Sequence, residues 1–528
     1  MHTHDARSAT TIALSSHLSL KTLLALGLLI HFGFGFLLTL SVDEAHYILY
    51  AAKPDWSYFD HPPLVGWIQW PLVAAGAPDF VIRLIPQLLW LVACLLARQL
   101  ALRLYDLQAD IYAPDSSRLQ VEAPPPSSSA LRATAGLWAV GLVLLAPVMH
   151  VLAVGLLPDS LLMVLVLLLM SVTLNLAQSD ARTQEFSREW LSWLTLGVLL
   201  GLAGLSKYTA ILPAIAVIVT LFVSRGLRVL GTPGPWMAAL VAFIFISPVL
   251  YWNAQHEWIS FVYQLKHGSG GAWQARRLVA FAGIQLVAYG PLLVMGAYLA
   301  TRQIIQNKCW MLAALLLFFL IPFLVTGLMS GGGGSLPHWT APAWLAMTPF
   351  AANALAQRWA SGRKALILAF IRTQAVICLM AFAALFFVGI PGLSPDHPLV
   401  RKNPLADLWG WDEAGVKARE LARNHDLNSL SVRNWTLGSR LAWYARPLPV
   451  HVLDKRFDQF DLWFGNISPG SDSLFVNWSQ VKFDLPTQTG EFKWCRLIET
   501  FESKRFNRHV SRFDYYHCHH WGATPNTK

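Results

Sequence analysis

Charge is what this chain has least of. Asp, Glu, Lys and Arg make up 13% of its 528 residues, about half the ~25% usual in a soluble protein. That scarcity, with 55% hydrophobic residues and a mean hydropathy of +0.44, excludes an ordinary soluble globule. Acidic residues are the rarer sign, 30 against 40 Lys and Arg. The basic surplus is scattered between apolar runs rather than clustered, which argues against nucleic acid and for cytoplasmic loops of a membrane protein. No internal repeat is visible, although transporters often carry one. No small-residue cleavage site follows the first apolar run. That run therefore reads as a retained first span rather than a signal peptide.

Long apolar runs and tryptophan are present instead. Runs near 18–40, 79–97, 133–152, 160–177, 190–205, 208–224, 235–252, 278–301, 309–329, 338–357 and 365–391 predict about eleven spans of the roughly 20 residues that cross a bilayer. Trp, 23 in all, collects at bilayer interfaces. With the N-terminus inside, cytoplasmic segments hold fifteen Lys and Arg, and the opposite short loops five. The positive-inside rule selects that orientation. An odd span count then places the C-terminus outside. Two domains are expected: a transmembrane domain over 1–391, with a first outer loop at 41–78, and a soluble outer α/β domain over 392–528. Residues 98–132, with their Pro124–Ser129 tract, read as a flexible cytoplasmic loop.

Cysteine is scarce too, five in all. Cys94, Cys309 and Cys378 lie in or beside spans. Cys495 and Cys518 share the outer domain, where an oxidising compartment permits a disulfide; two free thiols are the alternative.

Chemistry concentrates in outer loops. The first reads Ser41-Val42-Asp43-Glu44-Ala45-His46-Tyr47, then Tyr58-Phe59-Asp60-His61-Pro62-Pro63-Leu64. Adjacent carboxylates at the mouth of a span are costly unless solvated or functional. Asp43 and Glu44 would equally suit an ordinary helix N-terminus. Asp159, in Leu157-Pro158-Asp159-Ser160, is the lone acid of the second outer loop. Capping is its plain reading. Lys207, in Gly204-Leu205-Ser206-Lys207, is either a snorkelling lysine or a cation for a lipid phosphate. Asp43, Asp159 and Lys207 all map to one membrane face. The segment Trp252–Gly268 is polar and aromatic, and Asp60, His61, His256 and Glu257 leave a divalent metal open, without the spacing of a known metal motif. Gly331–Gly334 reads as a flexible lip, because no strand-to-helix context makes it a phosphate loop. In the outer domain Arg456, Gln459 and Trp463 could face the acceptor, with surface packing the plainer reading.

These motifs resemble the GT-C glycosyltransferases of the dolichyl-phosphate-mannose protein mannosyltransferase type, particularly the bacterial branch that includes the lipid A aminoarabinose transferase. The matching stretches are Asp43-Glu44-x-x-Tyr47, Tyr58–Leu64, Leu157-Pro158-Asp159, Gly204–Lys207 and the Pro-rich Leu336–Trp344, in order over residues 20–360. The resemblance implies a polytopic GT-C fold and an inner-membrane enzyme. It would move a sugar from undecaprenyl or another polyprenyl phosphate to a periplasmic acceptor, lipid A or another envelope glycan. It implies Asp43 as catalytic base and Asp159 as a second acidic residue shaping the site. Lys207 and His61 are implied at the donor phosphate, and Glu44, His46, Tyr47, Asp60, His256 and His338 at substrate. No cofactor is required; a metal would fall to Asp60 and His256. His61 stands where that branch usually has Lys, and His46 where it often has Arg, which argues against aminoarabinose as donor. Protein is the variant acceptor. A transporter or flippase is the rival from another class, disfavoured because the midspan regions hold almost no ionisable residue.

Overall fold

The computed structural model describes residues 2–112, 128–179, 186–388, 397–398, 402–481, 483–487 and 491–522. The chain divides into two compact units. One comprises Met1–Phe32, His61–Leu64 and Leu84–Leu379; the other comprises Gly33–Asp60, Val65–Arg83 and Met380–Lys528.

Nine of the described helices are long and apolar enough to cross a membrane, and a tenth counts if Ser129–Leu145 and Pro147–Val154, bent by 75°, form one span. The bend falls where Pro147 cannot continue the preceding helix. The chain is thus a multi-pass membrane protein. The remaining expected span, 338–357, is a helix over Ala341–Ala360 that is buried along most of its length. It contains Thr348, Asn353 and Gln357 and falls outside the apolar set. Buried among neighbouring helices, with Asn353 Nδ2 donating to the Ala101 carbonyl at 2.9 Å, it has no need of an apolar surface all round.

Two expectations are corrected. Residues 98–112 are not loop, because the helix Leu84–Tyr112 continues through them; the proline-rich part, 113–127, lies outside the described residues. Arg103 is polar without breaking the helix, since its guanidinium bonds Ser171 Oγ at 3.1 Å and the Asn175 side chain at 2.5 Å. The first half of the glycine run is not a lip either, whereas Gly333 and the exposed Gly334 follow the helix. Gly331 and Gly332 close the helix Leu317–Gly332 and are buried. Their carbonyls accept from Gln274 N at 2.8 Å and Gly271 N at 2.6 Å. A Cβ on Gly331 would strike the Trp273 indole, and one on Gly270, at φ +57°, would strike the Gly332 carbonyl. Close packing explains those glycines.

The C-terminal part carries a five-stranded mixed sheet, the expected small α/β fold. Its strands are β1 (Leu430–Val432), β2 (Val450–Val452), β3 (Ser473–Trp478), β4 (Phe492–Arg505) and β5 (Arg508–Trp521), in the order β2-β1-β3-β5-β4. β1 pairs in parallel with β2 and β3, while β5 runs antiparallel to β3 and β4. Trp411, Leu430, Leu441, Phe460, Leu474 and Phe513 lie in the core beneath it. Cys495 and Cys518 face each other across β4 and β5 and form a disulfide, with Cα atoms 4.0 Å apart.

Candidate active site

In the larger unit the Leu157–Ser160 turn and the break at Lys207 converge. Pro158 opens the helix Pro158–Gln178 at its first position, where its missing N–H costs nothing. Ser160 Oγ accepts from Leu157 N at 3.3 Å and donates to the Leu152 carbonyl at 3.0 Å. Asp159 follows Pro158 in the first turn, where the helix dipole favours negative charge. The helix Phe186–Ser206 ends where Ser206 Oγ donates to the Pro158 carbonyl at 2.8 Å. That bond sets Lys207 beside Asp159: Nζ lies 2.7 Å from both carboxylate oxygens. Lys207 does not snorkel. Both side chains are buried, with 9% and 2% of their surfaces exposed.

His338 completes this cluster, its Nε2 3.8 Å from Asp159 Oδ2. The turn Pro337–Thr340 that carries it is pinned by Tyr289 and Gln285. Tyr289 Oη donates to the Pro337 carbonyl at 2.8 Å, and Gln285 Oε1 accepts from Thr340 Oγ1 at 2.6 Å and Trp344 Nε1 at 2.8 Å. Trp339 presents its ring 5.9 Å from the Lys207 amine. His61 belongs to this unit. His256, at the end of Pro233–Gln255, stacks on Trp252 at 3.8 Å and bonds that residue's carbonyl at 2.8 Å.

The smaller unit holds the other first-loop site residues, Asp43 to Tyr47 and Asp60. Ser41 caps the helix Val42–Ala52 and forms a reciprocal box with Glu44, placing Asp43 and Glu44 in its first turn. Their surroundings differ sharply. Glu44 is buried, and its carboxylate meets Arg83 at 2.7 and 2.9 Å. Arg83 also donates to the carbonyls of Gly35, Leu38 and Thr39. Glu44 thus carries a structural ion pair that fastens the loop. Asp43 is half-exposed, and its charge reaches the buried Arg440. Arg440 lies 3.6 Å over the Trp411 ring and pairs with Asp407.

His46 is boxed in. Its Nδ1 lies 3.2 Å from Ser439 Oγ and its Nε2 3.5 Å from Asp60 Oδ1. Tyr47, Tyr50, Trp435 and Trp463 surround the ring with centroids 5.2–5.7 Å away. Tyr50 also donates to Asp60. Gln459 is buried and accepts from Phe59 N at 2.7 Å, while Trp463 is half-buried against His46. Arg456 stays exposed. Among the described residues, the group of metal-ligating side chains close enough to share an ion includes neither Asp60 nor His256. Sequence reasoning missed Arg83, Tyr50, Ser439 and Arg440. Arg83 alone carried a signal, as a cation at the mouth of a span beside the acidic loop.

Asp458, which caps Gln459–Phe464, gives a pH prediction. Burial, aided by Asp461 and opposed by the Phe460 amide, pushes its carboxyl up to about 6. An unfolded Asp titrates near ~3.9, so the folded state binds the extra proton between those values. Stability from this group is present at low pH and is lost as pH rises through 6. Asp458→Asn keeps a capping acceptor and removes the charge. It should raise stability by about 1–2 kcal/mol at pH 7.5 and by nearly nothing at pH 4. Thermal midpoints at both pH values check this; an equal gain at both would refute it.

Residues 128–252, which contain Asp159 and Lys207, match the family model described as dolichyl-phosphate-mannose-protein mannosyltransferase. No curated protein matches the chain in sequence. The structure superposes on ArnT from Cupriavidus metallidurans in the apo state with a TM-score of 0.57 at 15% identity, covering 94% of this chain and 97% of that one. The same protein bound to undecaprenyl phosphate gives 0.58 at 14% identity, with the same coverage. The fold is therefore like that of ArnT.

Proposed function

We propose, starting from a chain with the GT-C fold of ArnT, that this protein is a glycosyltransferase using a polyprenyl-phosphate-linked sugar. The observation that carries the reading is the buried Lys207–Asp159 pair, inside the segment that matches the mannosyltransferase family model. A lysine amine buried against one carboxylate, between two apolar helices, is a donor suited to an anionic lipid headgroup. Undecaprenyl phosphate bound to the structurally similar ArnT supports that class of donor.

In the proposed reaction an acceptor hydroxyl attacks the anomeric carbon, and Asp43 takes the hydroxyl proton. The bond from that carbon to the phosphate oxygen breaks, and polyprenyl phosphate leaves with the electron pair. Lys207 stabilises the phosphate charge. A phosphate is already a good leaving group, so no general acid is required, and direct displacement inverts the anomeric centre. The acceptor is lipid A or another envelope glycan, and the location is the bacterial inner membrane with the sheet domain in the periplasm. Mass spectrometry of lipid A and envelope glycans tests this, comparing a deletion strain with the same strain carrying the wild-type gene. A sugar lost on deletion and restored by the gene is expected. Unchanged glycans together with a changed transport phenotype would replace this reading with the transporter.

A further inference from the structure

A cluster in the sheet domain has no part in that chemistry. Asp472 lies just before β3, and the pairing of Ser473 with Cys518 brings it to the end of β5. His517 and His519 alternate with Cys518 along β5, so both project from one sheet face while Cys518 is buried on the other. Asp472 Oδ2 meets His517 Nε2 at 2.8 Å and His519 Nδ1 at 2.7 Å. The three ligand atoms lie within 4.8 Å of one another. The carboxylate is aimed from its other side, where Oδ1 accepts from the His520 amide at 3.0 Å. Trp494, opposite His519 on β4, stacks on that ring at 5.0 Å.

We infer that Asp472, His517 and His519 form a site for a zinc-class divalent ion, with an open fourth position for water. One carboxylate and two imidazoles are the ligands that suit Zn²⁺, Co²⁺ and Ni²⁺. Zinc–ligand bonds of about 2.0–2.2 Å need ligand atoms about 3.3–3.6 Å apart, so small rotations of the present side chains suffice. The Oδ1 bond and the Trp494 stack supply the outer support that keeps such ligands oriented. The His519 side chain is 43% exposed, which leaves a path for the ion. The disulfide at Cys518 fixes the register on which both histidines depend. The ion would tie the start of β3 to the end of β5 and is independent of sugar transfer.

The test uses the full chain in detergent, stripped with a chelator and titrated with Zn²⁺ and Co²⁺. Wild type should bind one equivalent more than His517→Gln/His519→Gln, with a Co²⁺ visible spectrum that the double variant lacks. His256→Ala should keep that equivalent. Asp472→Asn should weaken zinc binding at least tenfold. Equal stoichiometry in wild type and the double variant, or no metal bound by wild type, overturns the site. Should the double variant misfold, zinc-edge anomalous scattering from wild-type crystals decides: a peak among the three side chains supports the site, and none there overturns it.

Discussion

Asp43→Asn is expected to abolish sugar transfer and leave the protein folded. The substitution exchanges one carboxylate oxygen for an amide nitrogen, so volume and shape hardly change. Asp43 is half-exposed in the first turn of Val42–Ala52, and Asn there loses only a favourable dipole interaction of about 0.3–1 kcal/mol. The chemistry is different. A carboxamide cannot take the acceptor proton, and loss of a general base typically removes about 10²–10⁴ of the rate. The neighbouring carboxylate supplies the contrast. Glu44→Gln leaves Arg83 buried without its counter-ion and should destabilise by about 3–5 kcal/mol. Initial rates and thermal midpoints for both variants separate the roles. Wild-type turnover by Asp43→Asn would remove the mechanism.

Lys207→Ala is expected to lower both stability and donor affinity, and a second variant separates the two. Removing the amine leaves Asp159 charged and buried, a loss of about 3–5 kcal/mol. Lys207→Met/Asp159→Asn removes both charges and fills most of the volume, so most of that stability should return. Donor binding should not recover. A charge-assisted bond to phosphate contributes about 1.5–3 kcal/mol, equivalent to roughly 10- to 150-fold in affinity. Binding of undecaprenyl phosphate to the purified double variant should therefore stay weak, whereas Lys402→Ala, at an exposed position, should bind normally. Wild-type affinity in the stable double variant would leave Lys207 a structural residue only.

Local sequence determined what depends on composition and short-range spacing. Apolar runs and scarce charge dictate membrane spans, because a bilayer selects side chains by transfer energy alone. Ser41 with Glu44, and Pro158 ahead of Asp159, dictate helix starts, because caps join residues three or four apart. The order of the outer-loop motifs was enough to imply the GT-C fold. Tertiary structure decided what each charged group does. Asp43 and Glu44 are adjacent in sequence, yet one is half-exposed and the other buried against Arg83, 39 residues away. Lys207 looks like a snorkelling lysine until the chain brings Asp159, 48 residues distant, to 2.7 Å. Gln459 suits surface packing until Phe59, 400 residues away, donates its backbone N–H to it. The Asp472–His517–His519 cluster exists only through the pairing of β3 with β5. The environment of a charge depends on partners that folding brings from far along the chain, so local pattern finds the ionisable groups but not their work.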